Sequence, residues 1–496
     1  MQPNPLLIND LRKAMTLQQQ GSLMESLAIF EQCLSQTPDF PDVWVMKALV
    51  LHQMGRAEEA LLALDSAIRL KPNESKFYLN KVQIYTQCGR SLEAADMLAL
   101  AASKDPRHTD VANWHLEAGK LYTSSYQYEK AKPHFHRVTE LKPLDPAGYK
   151  ALIELLVDTD AFDEALALLD RMIANGETGA ARYYKCLIHF LQGDIEKALP
   201  YWDSRWKHSG VEPTLWPFPL WKGENLGGKS LLLWGEQGVG DELMFASMIH
   251  MLQATGNSVI IQCTSRMIPL FERSFGVKCY PKSATAELAG HPNIVAHLPM
   301  GDLLHHFKPL KNFPEYAGYI RPDSQLVTSL KKKYQERNPR PKIGISWHSM
   351  NTDTGGLRTV TLEDMLPILR NPYVQFVSVQ YGDHREYVAS FNTQHGLDIW
   401  VDTDIDAFSS MDRFAAQVAA LDQVITIANS TVHVAGSMGI PTWALIPKTP
   451  SWRWQLHGEG NLWYKHLRLF RQSEHGKWGD AIETMAFALE QKYRAT

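Results

Sequence analysis

The stretch Trp234-Gly235-Glu236-Gln237-Gly238-Val239-Gly240-Asp241-Glu242 carries the residue types and spacing best suited to chemistry in this chain. It follows the apolar run Ser230 to Leu233 and precedes Leu243-Met244-Phe245-Ala246-Ser247-Met248-Ile249, which reads as helix. A buried strand, a glycine turn and a helix start are therefore expected in succession. A turn built on Gly238 and Gly240 aims backbone N–H groups at a phosphate or sugar oxygen above the sheet edge. Asp241 falls in the first helical turn, where the dipole favours the ionised carboxylate, and a carboxylate held there can act as a general base. Glu242 completes the loop. Two better-known glycine loops do not match. A nucleotide-hydrolase loop ends in Gly-Lys-Ser/Thr, and the dinucleotide fingerprint is GxGxxG, whereas Gly235, Gly238 and Gly240 give GxxGxG. The plain alternative is a tight strand-to-helix turn with no ligand, with Asp241 as a helix cap.

The elements that would position this turn come from the second half of the chain. Strand-like runs at Ser258–Cys263, Ile294–Leu298, Lys342–Ser346, Gln375–Val379, Gln423–Ile427 and Thr442–Ile446 alternate with helical ones at Glu242–Leu252, Pro269–Phe275, Leu362–Leu369, Arg413–Ala420 and Thr431–Met438. Such alternation implies parallel sheets joined by right-handed crossovers. A basic stretch, Leu330 to Pro341, divides this half into lobes at 229–325 and 340–480, with a C-terminal helix at 481–496. Its lysines fit a solvated helix face better than a phosphate patch. Ligands of such sheets bind outside the carboxyl ends of the strands, so two facing lobes would enclose one cleft.

The first half is a repeat. Small residues recur at Ser26, Ala60, Ala94, Ala131, Ala165 and Ala198, with prolines in step at Pro38, Pro72, Pro106 and Pro143. Five residues before each small residue stands a turn position: Gly21, Gly55, Gly89, Tyr126, Asp160 and Gly193. A period of about 34 is that of the tetratricopeptide repeat, a pair of antiparallel helices. About six repeats over 1–210 would stack into a superhelix whose groove suits an extended or helical peptide. A Pro- and Trp-rich segment at 211–228 (Pro213, Trp216, Pro217, Pro219, Trp221) has the composition of a linker that packs down.

Composition narrows the class. The chain has 496 residues, 45% of them hydrophobic and 21% charged, as in a globular protein of several domains. A net charge of −4 argues against a general nucleic-acid binder. Five scattered cysteines form no CxxC pair and suggest reduced thiols. The start, Met1-Gln2-Pro3-Asn4-Pro5, lacks a signal-peptide pattern, and no apolar run approaches the ~20 residues needed to cross a bilayer. A cytoplasmic location without stable membrane insertion is expected.

Three motifs carry a family resemblance: Gly238-Val239-Gly240-Asp241, Ile343-Gly344-Ile345-Ser346-Trp347-His348-Ser349, and Ile427-Ala428-Asn429-Ser430-Thr431-Val432-His433-Val434-Ala435-Gly436. With them the second half resembles the heptosyltransferase-like branch of GT-B glycosyltransferases. The whole chain is similar to bacterial fusions of tetratricopeptide repeats to such a domain, some of which are flagellin O-glycosyltransferases. The resemblance implies an α-helical repeat superhelix followed by an α/β GT-B fold of two facing Rossmann-like lobes, the first on the acceptor side and the second on the donor side. It implies that Asp241 is the catalytic base, with Gly238, Gly240 and Glu242 in the acceptor-side loop.

By the same resemblance the loop with Trp347 and Ser349 faces the donor's phosphates. The helix start at Asn429, Ser430, Thr431 and His433 receives the leaving group. The family usually has Asp-Thr where this chain has Asn429-Ser430. Gln380, at a strand end, is a candidate contact to the nucleotide base. Trp452 and Arg453, in Pro450-Ser451-Trp452-Arg453-Trp454, are candidates for the donor cleft, the plain alternative being an aromatic surface patch. Arg358, after Thr352-Asp353-Thr354-Gly355-Gly356, is a candidate for phosphate charge. Asp402-Thr403-Asp404 contains a DxD, but GT-B enzymes stabilise the leaving group with helix N-termini and cations, so an acidic loop and no metal are expected.

The resulting expectation is sugar transfer from a nucleotide donor to Ser or Thr of a protein gripped by the repeats. Flagellin is the best acceptor guess, and the donor a CMP-nonulosonic acid or a UDP- or GDP-hexose. The rivals are a lipopolysaccharide or polysaccharide transferase whose repeats recruit partners, and a non-catalytic repeat scaffold or chaperone with a degenerate transferase domain.

Overall fold

A computed structural model describes residues 5–143, 145–176, 179–209, 213–307, 318–351 and 355–494. The opening residues 1–4, the start of the 211–228 segment and Thr352 to Thr354 thus lie outside the described residues. The chain forms two compact units, Met1–Leu168 and Leu169–Thr496.

The first unit is a stack of antiparallel helix pairs, beginning Pro5–Gln19 with Leu23–Gln36 and Pro41–Gln53 with Ala57–Leu70. The periodic residues have physical work to do. Ser26, Ala60, Ala94, Ala131 and Ala165 are wholly buried, because two helices cross closely there and any larger side chain would push them apart. The turn positions Gly21, Gly55, Gly89, Tyr126 and Asp160 all take positive φ, between 58° and 82°. At Tyr126 and Asp160 a non-glycine residue bears this left-handed conformation, which shows how firmly the repeat imposes it. Helices end at Gln36, Leu70, Lys104 and Leu141, each two residues before a periodic proline.

The second unit holds two parallel sheets. In the first lobe β1 (Ser230–Trp234), β2 (Ser258–Cys263), β3 (Lys278–Pro281) and β4 (Ile294–Pro299) lie in the order β3-β2-β1-β4. In the second, β5 (Lys342–Ile345), β6 (Gln375–Ser378), β7 (Trp400–Val401), β8 (Gln423–Ile427), β9 (Thr442–Ile446) and β10 (Leu467–Arg471) lie in the order β10-β9-β8-β5-β6-β7. That order is the doubly wound arrangement, with its crevice where β5 and β8 lie side by side and their crossovers leave in opposite directions. In the first sheet β1 and β4 make the same crevice. β1, β5, β6, β8 and β9 are buried along their whole length, as strands covered on both faces must be.

Several boundaries differ from the sequence reading. The helix expected over Glu242–Leu252 starts earlier and is two pieces, Val239–Ala246 and Ile249–Gln253. At the break the Ser247 hydroxyl donates to the Met244 carbonyl at 2.6 Å and competes with the helix ladder. The helix expected over Leu362–Leu369 is confined to Leu366–Leu369, because Thr361 and Asp364 bond each other's backbone N–H and Pro367 enters only at its start. β3, β7 and β10 escape the pattern, being short or studded with charge. The basic divide is itself the Ser324–Arg337 helix of the second lobe. Its Tyr334 is buried against Trp400, and Lys333 reaches Asp402 and Asp404 at 2.8 Å. The Gly479–Tyr493 helix shares the second lobe's core through Ile482, Met485 and Leu489. Trp216 and Trp221 of the 211–228 segment are buried, and Pro219 and Trp221 bond His297 of β4, extending the first sheet. The last helical hairpin, Gly179 to Ser209, belongs to the same compact unit as the sheets.

Candidate functional site

The two sheet crevices meet. Beyond β1 the turn runs Gly235 to Gly238, and Gly238 caps the Val239–Ala246 helix without a side-chain bond. Asp241 stands in the first turn of that helix, as expected. Its Oδ1 accepts a hydrogen bond from Arg453 Nε of the second lobe at 2.8 Å, and a shorter one from an Arg453 Nη. Both side chains are largely buried but reachable, at 15% and 19% exposure. Arg453 also donates to Ser451 Oγ at 3.1 Å, and its guanidinium lies over Trp452 at 4.6 Å. Trp454 turns the other way, to within 5.2 Å of the His433 ring. Arg453 thus stacks on one tryptophan and leaves the other to the interior.

Behind this pair, the Ser430–Ser437 helix packs against the Val239–Ala246 helix. Gly240 is a glycine because a Cβ there would come within 2.9 Å of His433. His433 shares a 2.7 Å hydrogen bond with Tyr464. Burial, and then the charges of Arg453 and Arg358, push its imidazole down to about 3, so it is neutral. Gly436 makes room for the Tyr464 ring, which a Cβ would approach within 2.5 Å. Arg358 donates to Ser349 Oγ at 3.1 Å. Burial and the nearby Arg453 lower the pKa of Arg358, so the two guanidinium groups feel each other. Two arginines, a neutral histidine and a carboxylate therefore converge where both crevices open.

The other residues singled out from sequence are engaged in building the walls. The Gln380 Oε1 accepts from Ser346 Oγ and from the Trp347 and His348 N–H groups at 2.9 to 3.0 Å, tying the loop after β5 to the end of β6. Asn429 caps its helix by accepting from Thr431 N at 3.0 Å, and its amide donates to Ser346 Oγ at 2.8 Å. Thr431 is fully buried and its hydroxyl lies 3.4 Å from Ser346 Oγ. The Trp347 ring sits in the second lobe's apolar core. Ser430 opens the helix beside the crevice and is partly exposed. Glu242 is buried and faces into the first lobe, accepting from Thr264 Oγ1 at 2.9 Å and pairing with Lys282 at 2.9 Å. Asp402 is held by Lys333 and by Tyr334 at 3.0 Å, so the DxD carboxylates are spent on one helix. A cleft of about 400 Å³ opens beyond the ends of β6 and β7, lined by Tyr381, Asp383, Thr403, Asp406 and Phe408 among others.

Sequence reasoning missed a second cluster beside the turn. Arg205, buried, donates to Glu236 at 2.9 Å and to Asp302 at 2.6 Å. Burial raises the Glu236 carboxyl to about 7 against the pull of Arg205. Asp203, Asp302 and His305 lie together, but Asp302 is already neutralised by Arg205. The hydrogen bond to Asp203 raises the His305 pKa. No local motif marks this cluster, since Glu236 and Asp302 lie 31 and 97 positions from Arg205.

Comparison with known proteins bears first on the repeats. The family model of the Psidin N-terminal tetratricopeptide-repeat region matches residues 14–143. Protein FlbA of Caulobacter vibrioides is 32% identical over 294 residues, a match covering 55% of this chain and 48% of FlbA. This chain thus matches about half the length of that relative. Solved structures that resemble it include YrrB, a repeat protein with an unusual peptide-binding site (20% identity, 36% of this chain and 91% of that one, TM-score 0.28). Naa15/Naa10 bound to HypK-THB is another (20% identity, 41% and 32%, TM-score 0.34). The N-terminal region is a tetratricopeptide-repeat array, and among the described residues no helix is long and apolar enough to cross a membrane.

Proposed function

We propose that this chain is a metal-independent GT-B glycosyltransferase that passes a sugar from a nucleotide donor to a Ser or Thr hydroxyl of a protein held by the repeats. The observation that carries the reading is the meeting of Asp241 and Arg453 at the crevices of two parallel sheets. A carboxylate from one lobe can take the acceptor's proton, and guanidinium groups from the other can take up the charge of a sugar phosphate. Asp241 takes the proton of the acceptor hydroxyl as its oxygen bonds the anomeric carbon and the bond to the donor phosphate breaks. Arg453 and Arg358, with the N–H groups at the start of the Ser430–Ser437 helix, take up the phosphate's negative charge. Arg453 bonds Asp241, and a donor phosphate beside it offers the guanidinium a second partner and leaves the carboxylate to the hydroxyl. The repeat array supports a polypeptide acceptor, and the family resemblance points to flagellin, with a CMP-nonulosonic acid or a UDP- or GDP-hexose as donor.

The test is intact-mass analysis of candidate acceptors incubated with the purified chain and a panel of nucleotide sugars, with and without EDTA. A sugar-sized gain on a protein, insensitive to EDTA, is expected. Asp241→Asn should slow it by about 10²- to 10⁴-fold while acceptor binding persists. Retained turnover in that variant overturns the base, and loss of activity with EDTA overturns the metal-independent mechanism.

A further inference from the structure

The hairpin from Gly179 to Ser209 touches both members of the Asp241–Arg453 pair's surroundings, one lobe on each side. On the first lobe, the Arg205 guanidinium lies between the rings of Trp202 at 4.6 Å and Trp206 at 4.4 Å while bridging Glu236 and Asp302. Trp202 Nε1 donates to the Gly301 carbonyl at 3.1 Å, and a Cβ on Gly301 would collide with the Glu236 carboxylate. On the second lobe, Phe190 and Trp202 lie 4.9 and 5.5 Å from Trp452, the ring that carries Arg453. Leu456 N donates to the Leu191 carbonyl at 3.0 Å. Tyr183 lies close enough to Arg453 and Asp241 to feel both charges.

The turn needs such support. Gly235, Gly238 and Gly240 give it a backbone that is costly to order, and Gly238 offers no side-chain cap. The bonds that pin it include Gly235 N to the Gln262 carbonyl at 2.8 Å at its start, then Arg205 to Glu236, and Lys282 to the Gln237 carbonyl at 2.9 Å, with a longer one from Arg453 to Gln237 Oε1 at 3.4 Å. Lys282 is partly exposed, at 41%, whereas Arg205 is buried at both ends of its bridge. Arginine suits the place because one planar fork can hold two carboxylates while its faces stack on two indoles.

We infer that Arg205 is a positioning residue for Asp241, anchoring Glu236 so that the glycine turn presents the carboxylate to the cleft. The last hairpin is then part of the machinery rather than only the end of the array. The effect on turnover rests on the transferase reading; the anchoring of the turn does not.

The test compares the full chain with Arg205→Met and Arg205→Lys by hydrogen–deuterium exchange and by steady-state transfer. Arg205→Met should raise exchange over residues 235–241 by at least about tenfold and leave Leu231–Leu233 and β8 unchanged. Turnover should fall by roughly 100-fold with the KM for the nucleotide sugar within about threefold of the parent. Arg205→Lys should recover most of both. Exchange that is unchanged in the turn, or raised throughout the lobe, overturns the inference. If Arg205→Met does not accumulate folded, Glu236→Gln removes only the charge at the turn and should give the same local change at smaller size; no change there also overturns it. A parent chain that transfers nothing sinks the transferase reading, and the exchange measurement still decides the anchor.

Discussion

Two strand–turn–helix units of the second compact unit have the same outline and opposite use of their polar side chains. After β8, Asn429 caps its own helix and bonds Ser346, and Thr431 is sealed beneath it. After β1, Gly238 caps with nothing, and Asp241 reaches out to Arg453 of the other lobe. The first arrangement makes a rigid rim with N–H groups facing the crevice. The second leaves a carboxylate to be claimed by whatever enters. The contrast recurs within one dipeptide, where Asp241 faces the cleft and Glu242 faces the core of its own lobe. Polar residues spent on architecture and those left for chemistry are thus adjacent in sequence and separated by direction.

That comparison can be broken most directly at Asp241 and Glu242. Glu242→Ala leaves the Thr264 N–H and hydroxyl without their acceptor and should cost about 2–4 kcal/mol in urea unfolding. Asp241→Ala should cost less, about 1–2 kcal/mol, because Arg453 keeps Ser451 Oγ and the Trp452 face when the carboxylate is removed. Equal losses would show that the two acids share one structural role.

A smaller effect is expected from Asn429→Asp. The carboxylate cannot donate to Ser346 Oγ or the His348 carbonyl, so a loss of about 2 kcal/mol should appear in the denaturation midpoint. An unchanged midpoint would mean that the β8 rim is not built around the amide.

The remaining effect is on pH dependence, and the two turns should differ in sign. His433 has a lowered pKa, so its contribution to stability is present above pH 6.5 and is lost as pH falls towards 3. Glu236 has a raised one, so its contribution is present below pH 4.5 and is lost as pH rises through about 7. The melting temperature of Glu236→Gln should therefore move in the variant's favour, relative to the parent, from pH 5 to pH 8. A difference that stays flat over that range would refute the assignment.

The repeat was legible because its causes are local and recur. A close helix crossing demands a small residue and a left-handed turn favours glycine, so Ala60 and Gly55 announce themselves every 34 positions or so. The central strands were legible because burial on both faces makes them continuous apolar runs, as at β2, β8 and β9. Edge strands such as β7, two residues long, carry no such run. At the site, local reading identified the turn and placed Asp241 in the first turn of its helix. It could not see that Gln380 and Asn429 would turn inward to hold the β5 loop, because their partners lie 34 and 83 positions away.

By itself the sequence determined the helix pairs, the central strands and the glycine turn, all of which follow from periodicity and backbone freedom within a few residues. Only the tertiary structure decided that Arg453 meets Asp241 from 212 positions away, that Glu242 faces the core, and that Arg205 reaches the turn from the last hairpin. The physical reason is that a side chain's direction and charge partner depend on which elements pack together. Packing is a property of the folded whole, and neighbouring residues do not encode it.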